Sequence, residues 1–198
     1  MAHLIEKQAP DFTAPAVMGD NTIEREFTLS TYKGKYIILF FYPLDFTFVC
    51  PTEILAFNEK IDEFKERDAE IIGVSIDSIH SHLAWKKTPV EKGGIGPIKY
   101  PLVSDLTRNI GRAYDVLLDD TIAIRATFLI DREGIVRHTV LNDDSLGRNV
   151  NETLRMLDAL RHHDEHGKVC PANWEKDHAS MEASKEGVVD YLSKFAKE

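Results

Sequence analysis

Apolar and polar positions alternate along the chain in blocks that separate strands from helices. Tyr36–Tyr42 (YIILFFY) is an unbroken apolar run, rich in β-branched and aromatic residues, after the turn-like Lys33-Gly34-Lys35. It predicts a strand buried on both faces. Pro51 opens a helical pattern that runs through Asp68, with Ile54, Leu55, Ile61 and Phe64 on one face. Glu70–Asp77 predicts a second buried strand, Ser78–Thr88 a short helix ended by Pro89, Pro101–Asp105 a brief strand and Leu106–Tyr114 a short helix. Ala126–Asp131 and Ile135–Leu141 flank Arg132-Glu133-Gly134 and predict an antiparallel hairpin. Asn149–His166 reads as a helix whose apolar face carries Val150, Leu154, Leu157 and Leu160. Strands and helices in alternation, closed by a hairpin, imply an α/β fold with a mixed central sheet flanked by helices.

Beyond Gly167 the periodicity loosens, with one further amphipathic stretch over Ser180–Ala196. The chain therefore divides into a body, 1–166, and a C-terminal tail, 167–198. In the loops, Gly93-Gly94-Ile95-Gly96 demands a mobile or sharply turned backbone. It lacks the Lys and Ser/Thr of a phosphate-binding loop.

Composition narrows the function. The chain has 198 residues, 43% hydrophobic and 29% charged, as in an ordinary soluble globular protein. Its net charge of −9 disfavours a general nucleic-acid binder, which needs a basic surface. The longest apolar run is far short of the ~20 residues that span a bilayer. The start, MAHLIEKQAPDF, shows no basic segment followed by a long apolar one, so a cytoplasmic, reducing compartment is expected. There, two cysteines, Cys50 and Cys170, are redox-active or free rather than structurally bridged. They are too few for a four-cysteine zinc site. His162 and His166 have helical metal spacing but no evident third ligand, and read as a solvated helix end. His80 and His82 receive no role, and Trp85 reads as core or interface.

Cys50 lies where the first strand has ended and a helix opens at Pro51. Free N–H groups and the macrodipole favour an anion there. A thiol whose pKa falls in such a setting from about 8.5 toward ~6 gains roughly 30-fold in thiolate at neutral pH. It loses roughly 10- to 20-fold in intrinsic nucleophilicity. The effects nearly cancel, so a fast nucleophile here needs groups that stabilise its transition state. Thr47, three residues earlier, has the reach to bring a hydroxyl beside the sulfur. Pro43 could cover the site without donating a hydrogen bond. Arg125, opening the RATFLID strand, could hold a thiolate and donate to an attacked oxygen, or be a solvated strand end. No histidine is marked as a base for Cys50, which weighs against a cysteine hydrolase.

The segment Phe41–Glu53, FYPLDFTFVCPTE, closely resembles the active-site signature of the typical two-cysteine peroxiredoxins, with Pro-x-x-x-Thr-x-x-Cys at Pro43, Thr47 and Cys50. Lys168–Trp174, KVCPANW, is similar to that family's resolving-cysteine segment, and HLAW, GGIG, RATFLID and GRNVNE follow the family's order. The resemblance implies a thioredoxin-like fold and a thiol peroxidase acting on hydrogen peroxide and organic hydroperoxides, with no cofactor or metal. By the same resemblance, Cys50 would be the peroxidatic cysteine, Thr47 and Arg125 would bind and polarise the peroxide, and Pro43 would shield the sulfur. Glu53 and Arg148 would orient the arginine network. Cys170 would resolve the sulfenic acid as a disulfide with the partner subunit's Cys50. The reductant would be thioredoxin or a flavoprotein disulfide reductase. The assembly would be a homodimer, five of which form a ring, and a holdase chaperone role could accompany the peroxidase. Sensitive members carry both GGIG and a C-terminal Tyr-Phe pair; here that pair is Tyr191-Leu192. A thiol–disulfide oxidoreductase usually carries Cys-x-x-Cys, whereas Glu53 stands three after Cys50.

Overall fold

The computed structural model describes residues 3–195. In chain order the strands and helices are β1 (Thr13–Val17), β2 (Ile23–Thr28), β3 (Tyr36–Phe41), α1 (Cys50–Glu59), α2 (Ile61–Glu66), β4 (Ala69–Ser75), α3 (Ile79–Lys87), β5 (Leu102–Ser104), α4 (Asn109–Ala113), β6 (Leu117–Leu118), β7 (Ile122–Ala123), β8 (Arg125–Ile130), β9 (Val136–Asn142), α5 (Val150–His166) and α6 (Lys185–Phe195). Two compact units divide at the start of α5, Val150 closing the first and Asn151 opening the second.

The first unit is built on a seven-stranded sheet in the order β2-β1-β5-β4-β3-β8-β9. Strands β3, β4 and β5 run parallel; β1, β8 and β9 pair antiparallel with their neighbours. All six residues of β3 are buried, as an apolar run with no polar face requires. Its alternate side chains serve two layers. Ile37, Leu39 and Phe41 join Val74, Phe128 and Tyr114 in one cluster. Phe40 faces the other way, stacking on Phe57 of α1 at 4.6 Å and meeting the edge of Tyr100 at 5.9 Å. Gly73, beside Phe40 on β4, admits this ring: a Cβ there would stand 2.9 Å from Phe40 and 2.8 Å from Leu102.

Three features depart from the pattern reading. The helix expected over Pro51–Asp68 is two helices broken at Lys60, whose φ of −92° and ψ of 7° leave the helical basin. The apolar stripe of Phe57, Ile61 and Phe64 crosses the break, which hides it from periodicity. Strands β1 and β2 were not expected. Pro15 interrupts β1, yet the sheet accepts it because the β1–β2 register shifts at that position. Only Phe27 of β2 is buried, so β2 carries little apolar signal. Third, the last helix begins at Lys185 rather than Ser180; Ala196 lies outside the described residues.

In the second unit the segment after α5 is fastened to that helix. Arg155 donates to the Trp174 carbonyl at 2.7 Å, and the His162 ring packs at a tilt against Trp174, centroids 4.9 Å apart. The Cys170 thiol points at the Ala159 carbonyl, 3.5 Å away. His162 and His166 stack on one another at 4.5 Å, and His162 bonds Ser180. Among the described residues no group of three or more His, Cys, Asp or Glu is placed to hold a metal ion. No described helix is long and apolar enough to cross a membrane.

Candidate active site

Cys50 is the first residue of α1, one position earlier than Pro51 suggested, and is wholly buried. Its cap, Val49, supplies no side-chain hydrogen bond. As the first helical residue, Cys50 has an amide N–H with no acceptor inside the helix, and Pro51 has none to offer.

The sulfur meets a guanidinium. Arg125 opens β8, whose antiparallel pairing with β3 (Phe41 opposite Ala126) brings its first residue to the C-terminal end of β3, where the loop to Cys50 begins. Its Nη1 donates to Cys50 Sγ at 3.3 Å and to Glu53 Oε2 at 2.8 Å. Arg125 is 3% exposed, so the reading of a solvated strand end does not hold.

A second guanidinium completes the frame. Arg148 donates to Glu53 from its backbone N, Nε and Nη2 at 2.9, 2.8 and 2.8 Å. Its Nη1 donates to the carbonyls of Phe41 and Ala126, tying together β3 and β8, and its plane covers the Phe40 ring at 5.0 Å. Glu53 therefore sits between two buried arginines with its own side chain 2% exposed. Burial alone would raise its pKa, but the hydrogen bonds and charge of Arg148, with the charge of Arg125, outweigh it and hold the carboxyl below its ordinary value.

The loop from β3 to α1 is pinned from beneath. Asp45 receives hydrogen bonds from Tyr42 Oη at 2.8 Å and Ser81 Oγ at 2.7 Å, and its carboxylate lies 2.9 Å from His82 Nδ1. The Asp45 amide donates to Asp77 Oδ2 at 2.9 Å. Pro43 is buried in this loop; Thr47 is half-buried, its hydroxyl donating to the Leu44 carbonyl at 2.9 Å. Thus Arg125 and Glu53 meet around Cys50 and Arg148 joins through Glu53, while Thr47 spends its proton on the loop. Cys170 belongs to the second unit. Burial raises its thiol pKa above the ordinary value, against a smaller lowering by Arg155.

Two contributors were not read from the sequence. Asp144 accepts from Arg125 Nη2 at 2.9 Å through its carboxylate and from Nε at 2.7 Å through its carbonyl. The hairpin register, Arg125 opposite Asn142, would have located it. His82, given no role, is wholly buried and bonds Asp45 on one nitrogen while its other lies 3.2 Å from the Val103 carbonyl. The HLAW stretch includes this residue, but local pattern does not show what it contacts. The GGIG segment is the sharply turned backbone expected, with positive φ at Gly93 and Gly96: the Trp85 indole, itself wholly buried, donates to the Gly93 carbonyl at 3.0 Å, and Ile95 is 1% exposed. At Gly94 a Cβ would stand 1.9 Å from the Thr88 oxygen, so only glycine fits without movement.

A family model described as the AhpC/TSA family matches residues 5–139. The chain belongs to that family, the peroxiredoxins. A second model, the C-terminal domain of 1-Cys peroxiredoxin, matches residues 159–194, a stretch that in this chain holds Cys170. Alkyl hydroperoxide reductase C of Helicobacter pylori strain J99 is 56% identical over 190 residues, 96% of each chain. Peroxiredoxin-1 of Gallus gallus is 50% identical over 191 residues, again 96% of each. The structure of a reduced 2-Cys peroxiredoxin from Plasmodium vivax superposes with a TM-score of 0.95 at 52% identity, covering 97% of this chain and 100% of that one. The peroxiredoxin fold is thioredoxin-like, with the mixed sheet flanked by helices described above. The chain is accordingly a thiol peroxidase.

Proposed function

We propose that Cys50 is the peroxidatic nucleophile, acting on hydrogen peroxide and organic hydroperoxides. The observation that carries this reading is the Arg125 guanidinium 3.3 Å from the buried sulfur and fixed by carboxylates. The thiolate attacks the terminal oxygen, the O–O bond breaks, and Cys50 becomes a sulfenic acid while the leaving oxygen departs as an alcohol or water after taking a proton. Arg125 donates to the sulfur as it attacks and to the departing oxygen, a role worth about 10²- to 10³-fold in rate. The Thr47 hydroxyl, its proton committed to Leu44, keeps lone pairs free to accept the O–H of the terminal oxygen and so orient it. Pro43 shields the sulfur from the solvent side. Glu53 and Arg148 fix the guanidinium that does the work.

Cys170 then attacks the sulfenic acid, releasing water and forming a disulfide with the partner subunit's Cys50, which an external dithiol system, thioredoxin or a flavoprotein disulfide reductase, reduces. Because Cys50 is wholly buried, the first turn of α1 must open for this step. Functionally we divide the chain into a peroxidase body, 1–166, and a resolving tail, 167–198, and place it in the cytosol as a homodimer that assembles into a ring of five. A holdase role would depend on that ring. On non-reducing gels the oxidised protein should run as a dimer that reductant returns to monomer. An oxidised monomer with Cys50 bonded to its own Cys170 would refute the between-chain step.

A further inference from the structure

Arg125 is gripped from two sides, and only one side belongs to the Glu53–Arg148 frame. On the other, Asp144 takes Nη2 with its carboxylate and Nε with its carbonyl, so all but one of the guanidinium N–H groups are committed. The free one is on Nη2, the nitrogen that Asp144 orients. Arg125 is 3% exposed, whereas the Asp144 side chain is 61% exposed. The carboxylate therefore bonds the buried guanidinium on one side and meets water on the other. Its neighbour Asp143 bonds Ser145 and reaches Arg125 through its charge, without a hydrogen bond.

The charge balance follows. The positive charges of Arg125 and Arg148 face the negative charges of Glu53, Asp144 and an ionised Cys50. Among these directly bonded groups the charges balance without Asp144; with it, the bonded set carries a net negative charge. We propose that Asp144 is a positioning residue that also sets substrate charge preference. It fixes the Arg125 plane and favours uncharged hydroperoxides over those bearing a carboxylate. This rests on Cys50 being the nucleophile.

The test uses the reduced full-length protein with a short alkyl hydroperoxide bearing a terminal carboxylate and with its methyl ester, two probes of matched shape and different charge. Rate constants for Cys50 oxidation are measured by stopped flow for wild type, Asp144→Asn and Asp144→Ala. At low salt the carboxylate-to-ester ratio should rise about 5-fold in both variants, the rate equivalent of roughly 1 kcal/mol for a solvent-exposed charge. The rise should fade near 0.5 M salt, where screening is within about 5 Å. With hydrogen peroxide the alanine variant should be about 5-fold slower than wild type. Asparagine, whose amide oxygen still accepts from Nη2, should recover most of that loss. An unchanged ratio in both variants would overturn the charge role, and equal peroxide rates for Asn and Ala the positioning role. Cys50→Ser separates the two layers: a reactive variant refutes the site, whereas an inert one beside an unchanged ratio refutes Asp144 alone.

Discussion

Replacing Glu53 with glutamine removes one charge from the centre of the arginine frame and leaves the volume unchanged. The carboxylate receives four hydrogen bonds, one from Arg125 and three from Arg148, and both guanidiniums are at most 3% exposed. A glutamine retains one acceptor oxygen and turns an NH2 group toward the remaining donors. About two bonds to charged donors are lost, at about 1.5–3 kcal/mol each. That agrees with the roughly 3–5 kcal/mol typical of breaking a buried ion pair from one side. For a chain of this size the urea slope is about 2–3 kcal/mol per M, so the unfolding midpoint of the reduced protein should fall by roughly 1.5 M at fixed protein concentration. The sign with pH is fixed by the depressed carboxyl. A folded-state pKa below the ordinary 4.5 contributes stability that is present above that value and is lost as pH falls through the folded pKa. The gap between wild type and Glu53→Gln should be full at pH 7 and close below pH 4.5. A midpoint shift under about 0.4 M, or a gap that widens on acidification, would refute the reasoning.

Two further perturbations probe the chemistry. Arg125→Met should slow the reaction of Cys50 with peroxide by about 10²- to 10³-fold in stopped flow. It should shift folding stability far less, since Glu53 keeps its three bonds to Arg148; an unchanged rate would make Arg125 purely structural. Disulfide formation should accelerate with pH through and beyond the ordinary thiol range, because burial raises the Cys170 pKa and only its thiolate attacks. Rapid-quench measurement of the disulfide would refute this by showing a plateau below pH 8.

What the sequence revealed depended on whether an element's burial matched its pattern. Strand β3 was legible because each of its six residues is buried and apolar. Strand β1 was not, since Pro15 reads as a breaker until the bulge that accommodates it is known. The break at Lys60 was invisible because the apolar stripe continues across it. At the site, Cys50 and its helix start could be read locally, but Arg125 is separated from it by 75 residues and spacing alone left its role open. Family resemblance named Arg125, Glu53 and Arg148; it did not name Asp144, which requires the β8–β9 register. The HLAW stretch marks His82, but its burial against Asp45, 37 residues away, is a property of the folded loop that periodicity does not encode.

The central claim is that Cys50 alone among the chain's groups reacts with peroxide. Single-turnover consumption of hydrogen peroxide by the reduced Cys50→Ser and Cys170→Ser variants, without a recycling donor, tests it directly. The Cys170→Ser protein should consume peroxide at the wild-type initial rate and stop with a sulfenic acid on Cys50, while the Cys50→Ser protein consumes none above background. Stoichiometric consumption by Cys50→Ser would contradict the account.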